Sequence, residues 1–176
     1  MFYQPDLFEP KAAPAIARMD LSAVAERIMT VSPRPRYTMI VLNFLAKAAN
    51  ADGVAGPYIM DEGQAVPVRD WLGRAMIPMA QRHHRRQAMR REICDDLNER
   101  GKMPRDQVER DGAIDDMMRE RLQQSARCSV SRAVSDLVRA GLVHRHYQGF
   151  RVDHHNRGAQ REAVYTLMPE VLAALA

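Results

Sequence analysis

One stripe of apolar residues limits what this chain can fold into more than any other feature. Val130, Ala133, Val134, Leu137 and Val138 stand at i, i+3, i+4, i+7 and i+8, the spacing of one buried helical face. Gly141 follows where a helix C-cap belongs. Leu142 and Val143 then open a strand, and Val164, Tyr165 and Leu167 lie on its expected partner. Between them runs the polar stretch Asp153–Gln160, which reads as a hairpin tip. Upstream, Ile114, Met117, Met118 and Leu122 form a second helical face, and a turn is expected at about Ser125–Arg127. Two short helices, a turn and a basic hairpin are therefore expected over 112–176.

The rest of the chain reads as helical. Residues 1–17, with Pro5, Pro10 and Pro14, are expected to form a mobile tail. Asp20 is placed to cap a helix through LSAVAERIMT. SPRPR breaks the chain, because a residue before proline avoids the helical region. Residues 37–49 are apolar nearly all round and predict a central buried helix. Residues 51–66 are rich in turn formers and predict a loop, with a short strand near Ala65–Val66. Pro67 fits the first turn of a further helix, which Pro78 should end or kink. Helices within 67–98, then a linker around Gly101 and Pro104, complete a helical region over 18–111. Pro169 is expected to open a short final helix, EVLAALA. The fold class that follows is mainly α with a small β-hairpin.

Charge is uneven along the chain. The formal net charge is only +4, yet Arg82–Arg91 holds five arginines and no acid. Arg127–Arg161 holds seven arginines and four histidines against Asp136 and Asp153. Basic blocks of this kind suit phosphate better than apolar partners. No apolar run approaches the roughly 20 residues of a membrane span. The N-terminus has no basic segment followed by an apolar one, and Cys94 and Cys128 are too few for a disulfide framework. These features favour a cytoplasmic protein.

No catalytic set emerges. GVAG at 53–56 lacks the Lys-Ser/Thr of a phosphate-binding loop, and no Ser, His and Asp share a credible spacing. No enzyme activity, cofactor or metal is expected. His144 and His146 share one side of a strand and, with Asp153, His154 or His155, could hold a transition metal, but polar surface is the commoner role for such a pair. Cys128, read as lying near a helix N-terminus beside arginines, is a candidate redox thiol.

The stretch SVSRAVSDLVRAGLV, the basic hairpin after it and the exit YTLMPE resemble the winged helix-turn-helix transcriptional regulators, most closely the MarR-type repressors, over about residues 113–170. Asp153 and Arg157 stand as the acid and base of the wing, at a wider spacing than in that family. The resemblance implies a homodimer on double-stranded DNA, with a recognition helix at about 127–140 in the major groove and a wing at about 143–167 on backbone or minor groove. With Val130 pointing inward, Cys128, Arg132, Ser135 and Arg139 point outward. Ser129, Ser131, Arg132 and Ser135 are the expected base-reading residues, and Arg127 and Arg139 the expected phosphate clamps. An Arg132–Asp136 pair at i, i+4 competes with DNA contact by only about 0.2–0.5 kcal/mol. Arg145, Arg151, His154, His155, Asn156, Arg157 and Arg161 are the expected wing contacts. Residues 51–111 do not match the family's short link between its first two helices and read as an insertion or a dimerisation or ligand element; the helices at 20–30, 67–98 and 169–176 are candidates for the dimer interface and for a small-molecule effector pocket that Tyr58 and Trp71 could line. The alternative is a replication or partition accessory, or a winged-helix module that binds protein.

Overall fold

The computed structural model of the chain describes residues 19–80, 83–148 and 161–176. Helix α1 spans Leu21–Val31, and the Asp20 carboxylate accepts the Ala23 N–H at 2.8 Å, as its place before the apolar run predicted. It buries Val24 and Ile28, one turn apart. The chain turns at Ser32, whose hydroxyl hydrogen-bonds that of Thr38 at 2.8 Å in a buried elbow. Helix α2 spans Pro35–Ala48 with proline in its first turn, and buries Thr38, Val41, Leu42 and Leu45.

The expected loop at 51–66 is more ordered than its composition suggests. Strand β1, Val54–Ala55, is set by Asn50, whose side-chain oxygen accepts the N–H groups of Asp52 and Val54. Strands β2 (Tyr58–Asp61) and β3 (Gln64–Pro67) form a hairpin. Its two-residue loop, Glu62-Gly63, has positive φ at both positions (48° and 81°), the requirement of a type I′ turn. Pro67 thus closes a strand instead of opening a helix. Helix α3 follows at once over Val68–Ala80, and Pro78 does not end it there.

Helix α4 spans His83–Glu99. Helix α5 then runs unbroken over Gln107–Arg139, 33 residues, capped by Asp106, which accepts from Val108 and Glu109. The expected turn at Ser125–Arg127 is absent: α5 passes straight through it, and across the expected boundary at residue 112. Its C-terminus is the anticipated glycine stop. Gly141 has φ 68°, its N–H reaches Val138 O, and the Leu142 N–H reaches Leu137 O, a Schellman motif.

Strands β4 (Val143–Tyr147) and β5 (Ala163–Leu167) pair antiparallel, with Val143 opposite Leu167 and Tyr147 opposite Ala163. Strand β1 pairs on the other side of β5, so the sheet order is β1-β5-β4. Helix α6, Pro169–Leu175, closes the described chain and buries Val171. The main core joins α1, α2, α3, the C-terminal part of α5, the sheet and α6 around Ile28, Leu42, Leu45, Leu72, Val134 and Leu137. A second, small cluster of Ile93, Leu97, Ile114 and Met118 joins α4 to the first half of α5. None of the described helices is long and apolar enough to cross a membrane.

Candidate nucleic-acid interface

The outward face of α5 beyond residue 125 is where the sequence placed its reading residues. Val130, Ala133, Val134 and Leu137 are buried in the main core, while Cys128, Arg132 and Arg139 are exposed and Ser129, Ser131 and Ser135 are half-buried on the flanks. The orientation of this stretch therefore follows the 3.6-residue period.

The partners differ from several expectations. Asp136 pairs with Arg139 and not with Arg132, and Asp136 is itself buried. Arg132 is left exposed, with no ion pair among the described residues. Arg127, expected as a phosphate clamp, instead grips Asp70 of α3 with both ends of its guanidinium, Nε–Oδ1 at 2.7 Å and a second nitrogen to Oδ2 at 2.8 Å. A two-point pair of this kind fixes angle as well as distance. It locks α3 across α5 beside Gly73, where an added Cβ would lie in ordinary contact, 3.7 Å, with the Arg127 backbone nitrogen and side chain.

The serines are partly committed. Ser131 Oγ donates to Arg127 O and Ser135 Oγ to Ser131 O, both at 2.9 Å. With their protons used inside the helix, both oxygens are left as acceptors. Ser129 Oγ accepts from Arg34 at 3.5 Å, and Arg34 also lies over the Tyr37 ring at 5.0 Å. Burial pushes the Tyr37 hydroxyl pKa up, against the pull of Arg34. The α1–α2 elbow is thus brought beside the outward face of α5. Sequence reasoning missed Arg34, taking SPRPR only as a break; the available signal was an arginine held between two prolines.

Strand β4 stands clear of the core after Val143: His144, Arg145, His146 and Tyr147 are all exposed. Arg145 sits opposite Tyr165 in the ladder. Burial raises the Tyr165 pKa, opposed by Arg69 and Arg145. Arg161 is half-buried just before β5. Arg151, His154, His155, Asn156 and Arg157 lie outside the described residues. Among the described residues no three His, Cys, Asp or Glu side chains converge as a metal site would require.

Two further expectations change. Cys128 lies in the interior of α5, about 30 Å from its N-terminus at 1.5 Å per residue, so the helix-end basis for a reactive thiol is gone. Trp71 packs edge-to-face on Phe44, centroids 5.9 Å apart, and serves to join α3 to α2, while Tyr58 is exposed on the hairpin. Compared with known proteins, the chain matches no family model, no curated protein and no solved structure.

Proposed function

We propose that the chain is a double-stranded DNA-binding protein of winged-helix type, with residues 128–139 of α5 entering the major groove. The observation that carries this reading is the face of α5 opposite the core: among the described residues it is uncovered, and it presents Arg132 without an ion pair between Ser129 and Ser135. The surrounding order supports it. Helix α2, strand β1, helix α3, the end of α5, then β4 and β5 come in that order, interrupted by the β2–β3 hairpin and by α4 with the first half of α5, and the sheet order is β1-β5-β4. In a winged helix a three-stranded sheet of this kind backs a pair of crossed helices. Here α3 plays the first helix of that pair, the role the sequence reading had given to 113–124. On this reading the wing is built on β4 and β5, whose connecting residues 149–160 lie outside the described ones.

Arg132 is the residue suited to a guanine, because a guanidinium meets guanine O6 and N7 with two parallel bonds. The acceptor oxygens of Ser131 and Ser135 suit the amino groups of adenine or cytosine. A transcriptional regulator acting as a homodimer is the role we favour, with two such faces about 34–36 Å apart on an inverted repeat.

The test is binding to random duplex DNA over a salt series, followed by selection from a random-sequence pool. Wild type should bind more weakly as salt rises, and an inverted repeat should be enriched. Arg132→Ala should relax preference at one base pair per half-site, a loss of about 1–3 kcal/mol there. Absence of binding at ~50 mM salt would overturn the DNA reading.

A further inference from the structure

The elbow between α1 and α2 carries a cation to the edge of the exposed face of α5. Arg34 stands there between Pro33 and Pro35, each of which fixes its own φ. The Ser32 hydroxyl accepts the Arg34 N–H at 3.2 Å and is tied to the buried Thr38 hydroxyl at 2.8 Å. The Arg34 guanidinium lies over the Tyr37 ring at 5.0 Å and donates to Ser129 Oγ at 3.5 Å. Both of these partners are neutral, so Arg34 is held in place with its charge uncancelled.

Ser129 stands beside Arg132. At about 100° per residue the two are about 60° apart round α5, and at 1.5 Å per residue about 4.5 Å apart along it. On the other flank Arg127 is taken up by Asp70 of α3. The charge along the elbow and this part of α5 is one-sided. No acid occurs from Arg27 to Asn50, and from Arg121 to Tyr147 the only one is Asp136, which is buried and paired with Arg139. Arg36 and Arg132 are exposed and have no ion pair among the described residues.

The hydroxyls add a second observation. Ser131 and Ser135 donate to carbonyls one turn back, whereas Ser129 Oγ accepts from Arg34 and donates to no group among the described residues. The Ser129 proton and the remaining N–H groups of Arg34 are thus adjacent donors without an acceptor. Such a set suits an anion that only accepts hydrogen bonds, as a phosphate diester does. A helix with its side chains is about 10–12 Å across and the major groove about 12 Å wide, so α5 seated on Arg132 fills the groove. A group packed on the flank of α5 at that level then meets the phosphate strand of the groove wall.

Resting on the DNA reading above, we infer that Arg34 and Ser129 together form a phosphate clamp at the edge of the groove that Arg132 enters. The clamp adds affinity without sequence information and fixes how far α5 turns in the groove. It moves Ser129 from base reading to backbone contact, and it gives the SPRPR elbow a role beyond breaking the chain.

The experiment compares wild type, Arg34→Gln, Arg34→Lys, Arg36→Gln, Ser129→Ala and the Arg34→Gln/Ser129→Ala double variant on a duplex of about 20 base pairs. Fluorescence anisotropy is read over a salt series, and amide exchange of α1 and α2 reports whether the elbow stays folded. Arg34→Gln should reduce the slope of log affinity against log salt by about 0.9, the value of one phosphate contact, on every sequence alike. Arg34→Lys should restore the slope. Ser129→Ala should weaken binding about two- to tenfold with the slope kept, because a hydroxyl carries no charge. That loss should shrink in the Arg34→Gln background, as it does for two residues that hold one group. The motif selected from a random pool should be the same for all six proteins. If wild type binds duplex but Arg34→Gln leaves slope and affinity unchanged, the inference is overturned while the DNA reading stands. A slope change from Arg36→Gln as large as that from Arg34→Gln overturns it too, as does a selected motif altered by Ser129→Ala. Should Arg34→Gln unfold the elbow, Ser129→Ala decides alone, and unchanged affinity there overturns the clamp. If wild type does not bind duplex at ~50 mM salt, both readings fall.

Discussion

The two ends of α5 are held by different physics. Its C-terminal part is one wall of a core built from five helices and a sheet, with Val130, Val134 and Leu137 fully buried. Its N-terminal part packs on α4 and on Met103 of the connecting segment in the second cluster, over four buried apolar residues, and is bordered by ion pairs such as Arg90–Asp111 and Arg121–Asp96. Those pairs are partly solvated, so each contributes about 0.2–1 kcal/mol and less in salt. A single continuous helix thus has an end fixed by apolar burial and an end fixed by a thin seam with charged edges. Continuity of the backbone does not mean uniform stability.

The largest expected effect tests that contrast directly. Leu137→Ala should cost about 2–5 kcal/mol of global stability, measured by urea unfolding, because it empties space in the main core. Ile93→Ala removes a comparable side chain from the small cluster, yet should act locally. Amide exchange should accelerate in α4 and over 107–120 while 128–139 keeps its protection. Equal loss of protection in both halves of α5 would break the distinction. Next comes the junction between the regions. Asp70→Asn replaces the two-point grip on Arg127 with a weaker one, and should lower the unfolding free energy by about 1 kcal/mol, discounted because the Arg127 side chain is 43% exposed. An unchanged urea midpoint would remove Asp70 as the lock between α3 and α5.

The smallest effect at neutral pH is one of titration. Burial holds the Tyr165 pKa above its ordinary value of 10.0. The unfolded chain then loses this proton before the folded chain does. The stability tied to the neutral hydroxyl is therefore intact below pH 10 and is lost as pH rises through the folded value. Unfolding measured from pH 8 to 11 should show this alkaline decline, and Tyr165→Phe should flatten it. The same alkaline decline in Tyr165→Phe as in wild type would separate it from Tyr165.

Much of the main core was legible because its signals are local. The Asp20 cap, the stripe from Val130 to Val138 and the Gly141 stop each follow from a residue type at a fixed offset, whereas α2 begins at Pro35, inside the expected SPRPR break. The turn at Ser125–Arg127 was inferred from a real feature with another cause. The apolar stripe shifts phase between Leu122 and Ala126, which imitates a break. No glycine or proline lies there, and the shift records a change of partner, from α4 on one side to the core on the other. A long-range contact of that kind leaves no local mark. Of the hairpin β2–β3, the second strand was anticipated near Ala65–Val66, while β2 was hidden because it is four residues long, exposes Tyr58 and Met60, and lies among turn formers. Of the candidate site, the facing of Arg132 was legible from periodicity. The capture of Arg127 by Asp70, and of Asp136 by Arg139, depended on which rotamers the packed helices allow.

The unbroken length of α5 makes it a ruler. At 1.5 Å per residue Gln107 stands about 30 Å from the Asp70–Arg127 grip and about 37 Å from Arg132. The seam with α4 is thus held at a set span from the face over the main core, and the spacing is carried by one continuous run of backbone hydrogen bonds.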